Sequence, residues 1–148
     1  MTYIHNSGIL HRDTNLNNLL LDEELNIKFA DFQGRYLSPE GDIILDGFSS
    51  ENVESFMPRS DIEYADRKTD IFALGTAIYG IVTGSEPFPE LDPFNDSHEA
   101  EITARYKSGQ FPVLESYFAG DVIRKCWTGK YESASELAGD LRRLIVVT

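Results

Sequence analysis

Apolar residues alternate or run together near the N-terminus and take helical spacing in the second half of the chain. The apolar run 19–21 and the alternation of apolar residues over 25–29 are typical of two short strands. The acidic residues 22–24 lie between them and suit a turn. This pattern predicts a small β-hairpin in the first fifth of the chain.

The region after residue 68 predicts helices. Residues 71–82 are apolar nearly all round, so this stretch is predicted to be a buried central helix that Thr69-Asp70 cap and Gly84 closes. A second helix is predicted over 96–109, where Asp96 with Glu99 opens it. A third, of about ten residues around 122–127, stops at Gly129. A last helix begins at Ser133 with Glu136.

Two other stretches complete the predicted fold. Residues 1–6 read as the last turns of a helix, which Gly8 closes in a left-handed conformation. Residues 33–68 are interrupted by glycine, proline and serine, contain one brief apolar run at 43–45, and predict a long loop. The expected fold class is therefore mainly α with a small β-hairpin, in one domain.

The charge excludes some partners. Acidic residues outnumber basic residues 25 to 13, and the net charge is −12. Nucleic acids and anionic membranes need lysine and arginine to neutralise their phosphates, so neither is an expected partner.

The chain shows no export signal. Cys126 is its only cysteine, so no intrachain disulfide can form and a reducing compartment is expected. The first residues lack the basic and apolar regions of a signal peptide, and the longest apolar stretch, 71–82, is shorter than the roughly 20 residues of a membrane span. A cytoplasmic protein is predicted.

Two carboxylates and a carboxamide flank the predicted hairpin. The triplet His11-Arg12-Asp13 is followed by Asn18, and Asp31-Phe32 stands at the far end of the hairpin. A His-Arg-Asp triplet alone is a weak signal, and aspartate and asparagine are also ordinary turn residues. The motifs are more specific in this order and ahead of a buried helix that opens at Asp70.

In this combination the chain resembles the C-terminal lobe of the eukaryotic protein kinases. The resemblance implies that Asp13 accepts the proton of a protein hydroxyl group, and that Asn18 and Asp31 bind the Mg²⁺ that holds ATP. A protein substrate or partner protein is expected. The implied segments of 1–148 are a catalytic loop 11–18, a metal-binding segment 31–34, an activation-loop region 35–59 and a helical subdomain 69–148.

The resemblance also assigns supporting roles. His11 braces the catalytic loop, Arg12 orders a phosphorylated activation loop, and Asp70 holds the catalytic loop from the central helix. As a residue type, Asp70 suits a plain helix cap equally well.

The chain departs from the family at three places. Asp-Phe-Gly is replaced by Asp31-Phe32-Gln33, which places a non-glycine residue at the expected hinge. The lysine two residues after Asp13, typical of serine/threonine kinases, is absent. Ala-Pro-Glu is replaced by Met57-Pro58-Arg59, so the usual ion pair is expected to be lost or rewired, with Lys130 near the expected partner.

No glycine-rich loop, ATP-binding lysine or paired glutamate precedes the His-Arg-Asp triplet. The expectation is a kinase C-terminal lobe without its N-terminal lobe, which binds ATP weakly or not at all and transfers no phosphate by itself. A pseudokinase-like interaction or scaffold module is the alternative. Either form is expected to self-associate through the apolar surface that an N-terminal lobe covers.

Overall fold

The computed structural model describes residues 1–147. Thr148, the end of the predicted helical subdomain, lies outside them. The helices within this part are α1 (Thr2–Asn6), α2 (Arg67–Thr83), α3 (Asp96–Lys107), α4 (Gly120–Trp127) and α5 (Ala134–Val147). The strands are β1 (Ile9–Leu10), β2 (Leu19–Leu21), β3 (Ile27–Phe29), β4 (Arg35–Leu37) and β5 (Ile43–Asp46), and 3-10 turns cover Leu16–Asn18 and Val53–Ser55. The chain is mostly helical, as predicted.

The strands form two small sheets. The predicted hairpin is present, because β2 and β3 pair antiparallel with Leu19 opposite Phe29. A second antiparallel sheet has the order β1-β4-β5. The prediction of a continuous loop over 33–68 is therefore wrong, since β4 and β5 lie inside it. Residues 43–45 of β5 are all exposed, so this strand lacks the alternation that marks a half-buried strand.

The central helix α2 begins earlier than predicted. Asp66 is its N-cap: the carboxylate accepts from the Thr69 N–H at 3.0 Å, and the Thr69 hydroxyl accepts from the Asp66 N–H at 3.2 Å. The predicted cap at Thr69-Asp70 is wrong, because the helix already begins at Arg67. Arg67 and Lys68 are polar, so the apolar pattern does not mark this first turn. Gly84 closes the helix with a φ of 70°, as predicted.

The core lies where α2 meets α3 and α4. Gly75 allows a close approach, since a Cβ there would lie 2.5 Å from the Cβ of Cys126. Cys126 is buried, as expected from its apolar helix. The indole N–H of Trp127 donates to the Thr76 hydroxyl at 3.0 Å. The surrounding cluster is rich in aromatic rings: Phe72, Tyr79, Phe88, Tyr106 and Trp127.

The remaining helix ends differ slightly from prediction. Asn95, not Asp96, caps α3, because the side-chain Oδ1 of Asn95 accepts from the Ser97 N–H at 3.0 Å. The Ser133 hydroxyl accepts from the Glu136 N–H at 3.3 Å ahead of α5, as predicted. Among the described helices, none has the length and apolar composition needed to cross a membrane.

Candidate active site

Segment 11–18 connects β1 to β2 and is attached to α2 by Asp70. The buried carboxylate of Asp70 accepts from the backbone N–H of His11 at 2.7 Å and of Arg12 at 2.8 Å. The His5 imidazole Nε2 lies 2.9 Å from the same carboxylate. Arg12 has a φ of 62°, a conformation that costs about 1 kcal/mol or more, and these hydrogen bonds offset that cost. Asp70 thus contacts the loop, as the resemblance implies.

His11 connects the loop to the end of β3. Its ring Nε2 donates to the Ala30 carbonyl at 2.8 Å, and its Nδ1 accepts from the Asp13 N–H at 3.3 Å. The buried ring packs on Phe29 and Phe32 at centroid distances of 5.5 and 5.3 Å. The backbone of Asp13 is therefore held against the segment that follows the hairpin.

Two amide side chains contact the half-buried Asp13. Asn18 Nδ2 donates to Asp13 Oδ2 at 3.0 Å and to the Asp13 carbonyl at 2.8 Å. Asn15 Nδ2 donates to Asp13 Oδ1 at 2.7 Å. Burial raises the pKa of Asp13 above its ordinary value. The hydrogen bonds from Asn18 and Asn15 act against that rise, and the Asp31 charge adds to it. The residue pattern does not predict Asn15; its only signal is its position two residues after Asp13.

Asp31 lies beside Asn18 at the end of the hairpin. The Ala30 N–H donates to the backbone carbonyl of Asn18 at 2.9 Å, so Asp31 directly follows a residue that is bonded to Asn18. The Asp31 charge also acts on the Asp13 carboxyl. Asp31 is exposed and has a φ of 58°. The structure therefore brings together the three predicted site residues, Asp13, Asn18 and Asp31.

These groups fit a magnesium ion, which prefers oxygen ligands. Asn18 commits its Nδ2 to Asp13, and within residues 1–147 no group donates to its Oδ1. The Asp31 carboxylate likewise accepts no side-chain or backbone hydrogen bond from the described residues. One carbonyl and one carboxylate are thus open beside Asp13.

The expected difficulty at Gln33 is not found, because the positive φ falls on Asp31 and not on Gln33. Gly34 is required for packing. A Cβ at Gly34 would lie 1.8 Å from the Leu10 carbonyl oxygen and 2.5 Å from that of His11. Gly34, which stands one position after the expected glycine, thus lets the chain ahead of β4 pass close to the start of segment 11–18.

Two buried arginines are neutralised by carboxylates of the same chain. Arg35 Nε donates to Asp46 at 2.7 Å, and Arg12 Nη1 donates to Asp46 at 3.5 Å. Glu63 lies 3.4 Å from Arg35 and 3.6 Å from Arg12. The hydrogen bond from Arg35 holds the pKa of Asp46 below its ordinary value. The guanidinium of Arg12 is therefore paired with Asp46 and Glu63. The resemblance instead implies a phosphorylated residue as its partner.

The ion pair that the sequence predicts to be lost or rewired is rewired. Arg59 Nη2 donates to the Glu51 carboxylate at 3.2 Å, and the Glu51 side chain is 1% exposed. The Arg59 guanidinium also lies 4.0 Å from the centre of the Phe56 ring. The pair stays within segment 51–59, and Lys130 is exposed.

Glu54 is a buried acid that the sequence does not mark. Its backbone carbonyl accepts from the Thr76 and Tyr106 hydroxyls at 2.9 Å each, which places it between α2 and α3. Burial, and then the nearby carboxyl of Glu86, raise the pKa of Glu54 to about 7 from an ordinary 4.5. In the folded chain Glu54 therefore stays mostly protonated only below about pH 7.

This carboxyl predicts a pH-dependent stability. A raised folded pKa favours folding fully below pH 4.5, and the contribution is lost as the pH rises through about 7. The free energy of unfolding of Glu54→Gln should therefore equal that of the wild type at pH 4.5 and exceed it at pH 8 by about 2 kcal/mol. This value is reduced because water near the exposed Glu86 screens its charge. Urea unfolding at both pH values measures this. Glu23→Gln, at an exposed site, is the control, and an equal difference at both pH values would contradict the prediction.

Similarity to known proteins establishes the family of this chain. The protein kinase domain matches residues 1–137, and this chain belongs to the protein kinase family. It is 32% identical over 132 residues to the serine/threonine-protein kinase GIN4 of Saccharomyces cerevisiae, covering 86% of this chain and 11% of that protein. It is 37% identical over 127 residues to the dual specificity protein kinase pyk3 of Dictyostelium discoideum, covering 86% and 9%.

A plant relative extends the same picture. The chain is 32% identical over 133 residues to the CBL-interacting protein kinase 25 of Oryza sativa, covering 84% of this chain and 23% of that protein. The chain thus spans less than a quarter of the length of these three relatives. The resemblance to protein kinases is confirmed.

Proposed function

We propose that the chain is the C-terminal lobe of a protein kinase, with Asp13 as the catalytic base and Asn18 and Asp31 as the magnesium ligands. The observation that carries the proposal is the orientation of Asn18. Its Nδ2 donates to Asp13, and its Oδ1 accepts no hydrogen bond from residues 1–147, while the Asp31 charge acts on the same Asp13 carboxyl. The base and the two metal ligands thus share one site.

The chemistry needs little covalent participation by the protein. Asp13 would accept the proton of a serine, threonine or tyrosine hydroxyl as the hydroxyl oxygen attacks the terminal phosphate of ATP. Magnesium, when bound, neutralises the charge of the phosphates. Asn18 and Asp31 orient that ion, and the fixed backbone of segment 11–18 orients Asp13.

The proposed divisions of the chain follow from the same resemblance: catalytic loop 11–18, metal-binding segment 31–34, activation-loop region 35–59 and helical subdomain 69–148. The remaining contacts to ATP belong to a glycine-rich loop and a lysine on other polypeptide segments. The 148 residues alone are therefore proposed to transfer no phosphate.

A scaffold function is the second candidate. The outer surface of the β2–β3 hairpin is apolar and exposed, with Leu21 63%, Leu25 75% and Ile27 54% exposed. An exposed apolar patch of this kind marks a protein contact surface. A second polypeptide, or a second copy of the chain, would cover it in the scaffold.

Paramagnetic broadening separates the two functions. Mn²⁺ replaces Mg²⁺ at oxygen sites, and at low occupancy it broadens nearby amide signals even when binding is weak. With Mn²⁺ and ATP we expect selective broadening at Asn18 and Asp31. Asp31→Asn should abolish it, and Asp42→Asn, in the exposed β4–β5 turn, should leave it unchanged.

Broadening confined to the acidic turn 22–24, or none, would overturn the proposed metal site and leave the scaffold function. Transfer of labelled phosphate from ATP by the 148-residue chain, abolished by Asp13→Asn, would overturn the proposed inactivity while supporting the role of Asp13.

A further inference from the structure

Asn15 contacts both the carboxylate and the backbone carbonyl of Asp13. Its Nδ2 donates to Asp13 Oδ1 at 2.7 Å and to the Asp13 carbonyl at 3.2 Å. The side-chain Oδ1 of Asn15 accepts from the Asn17 N–H at 2.9 Å, which caps the 3-10 turn Leu16–Asn18. The Asn15 side chain is thus held at both ends, by the turn and by the carboxylate.

The same turn carries the other amide that contacts Asp13. Asn18 Nδ2 donates to Oδ2, so each carboxylate oxygen of Asp13 accepts one side-chain amide. Hydrogen bonds to an ionised carboxylate are about twice as strong as those between neutral groups. Two of them, on opposite oxygens, fix the side-chain torsions of Asp13 and leave the second lone pair of each oxygen for another donor.

We propose that Asn15 is a positioning residue for Asp13, one that holds its carboxylate in a single orientation through the hydrogen bond from Asn15 Nδ2. The proposal rests on the proposed function, in which Asp13 is the base. Serine/threonine kinases carry lysine at this position, so the short amide supplies a contact to Asp13 in place of a mobile cation. Asn15 acts through Asp13.

Three variants separate this role from turn capping. Asn15→Asp keeps an oxygen that can accept from the Asn17 N–H but replaces the donor to Asp13 with a second carboxylate. Asn15→Ala removes both the cap and the donor. Asn17→Ala is the matched control, because Asn17 is an exposed asparagine on the same turn and its side chain makes no hydrogen bond within the described residues.

The test is the side-chain rotamer of Asp13 in the 148-residue chain without nucleotide or metal. Three-bond couplings from the backbone nitrogen and carbonyl carbon to the Asp13 carboxyl carbon report its first side-chain torsion. We expect one staggered rotamer in the wild type and in Asn17→Ala. We expect averaging over two or more rotamers in Asn15→Ala and in Asn15→Asp, each first shown by circular dichroism to be folded.

A single Asp13 rotamer in both Asn15 variants would overturn the proposal, since Asn18 alone would then suffice. Equal averaging in Asn17→Ala and Asn15→Ala would also overturn it, because the integrity of the turn would be the cause. If one Asn15 variant fails to fold, the other decides. The measurement needs no ATP, so the positioning role and the metal site can fail independently.

Discussion

Asp70→Asn is expected to lower the free energy of unfolding by about 4 kcal/mol, a large fraction of the roughly 5–15 kcal/mol typical of a single domain. The wild-type carboxylate is fully buried and contacts two backbone N–H groups and the His5 ring. Asparagine keeps the shape but offers only one accepting oxygen. Its NH₂ group would face a buried donor, which is then left unpaired.

Urea unfolding followed by circular dichroism measures this loss. Asp121→Asn is the control, because Asp121 is exposed in the first turn of α4 and its removal should cost less than about 0.5 kcal/mol. A loss below about 1 kcal/mol in Asp70→Asn would contradict the role given to this carboxylate. Segment 11–18 should also become more mobile, which faster hydrogen exchange at the His11 and Arg12 amides would show.

The position of Asp70 shows what the residue pattern can and cannot reveal. Its type and place near a helix start predict a cap, and the resemblance implies a contact with the catalytic loop. The structure has the second arrangement, with Asp66 as the cap. Both aspartates suit either role, and only the path of the loop over α2 distinguishes them.

Local signals predict the β2–β3 hairpin and all five described helices, from apolar spacing and from the capping residues and glycines at the helix ends. The same signals fail for β4 and β5. The side chain of Arg35 is satisfied by Asp46 across the strand pair, and the exposed residues 43–45 show no preferred face. Contacts between charged residues eleven or more positions apart leave no periodic signal.

The roles of Asp13, Asn18 and Asp31 stay a prediction. The short hairpin between Asn18 and Asp31, which the motif order requires, is present in the structure. Asn15 is not predicted, since an asparagine after an aspartate suits any turn. Its orientation depends on capping the turn and on the place of Asn18, which are visible only in three dimensions.

Gly34→Ala is the second large expected effect, with a loss of about 3 kcal/mol or more in the free energy of unfolding. The added Cβ would lie 1.8 Å from the Leu10 carbonyl oxygen and 2.5 Å from that of His11. Both atoms are backbone and cannot rotate away. The strands β1 and β4 must therefore separate where Leu10 pairs with Arg35.

The same substitution at Gly139 is the matched control. Gly139 lies in α5, and the nearest atom to an added Cβ is the flexible end of Arg143 at 4.0 Å. Alanine favours helix over glycine, so Gly139→Ala should raise the free energy of unfolding by about 0.5–1 kcal/mol. Opposite signs in the two variants, measured by urea unfolding, would show that Gly34 serves close packing. Equal and small effects would show that close packing does not require glycine at position 34, because β4 would then have room to move away from segment 11–18.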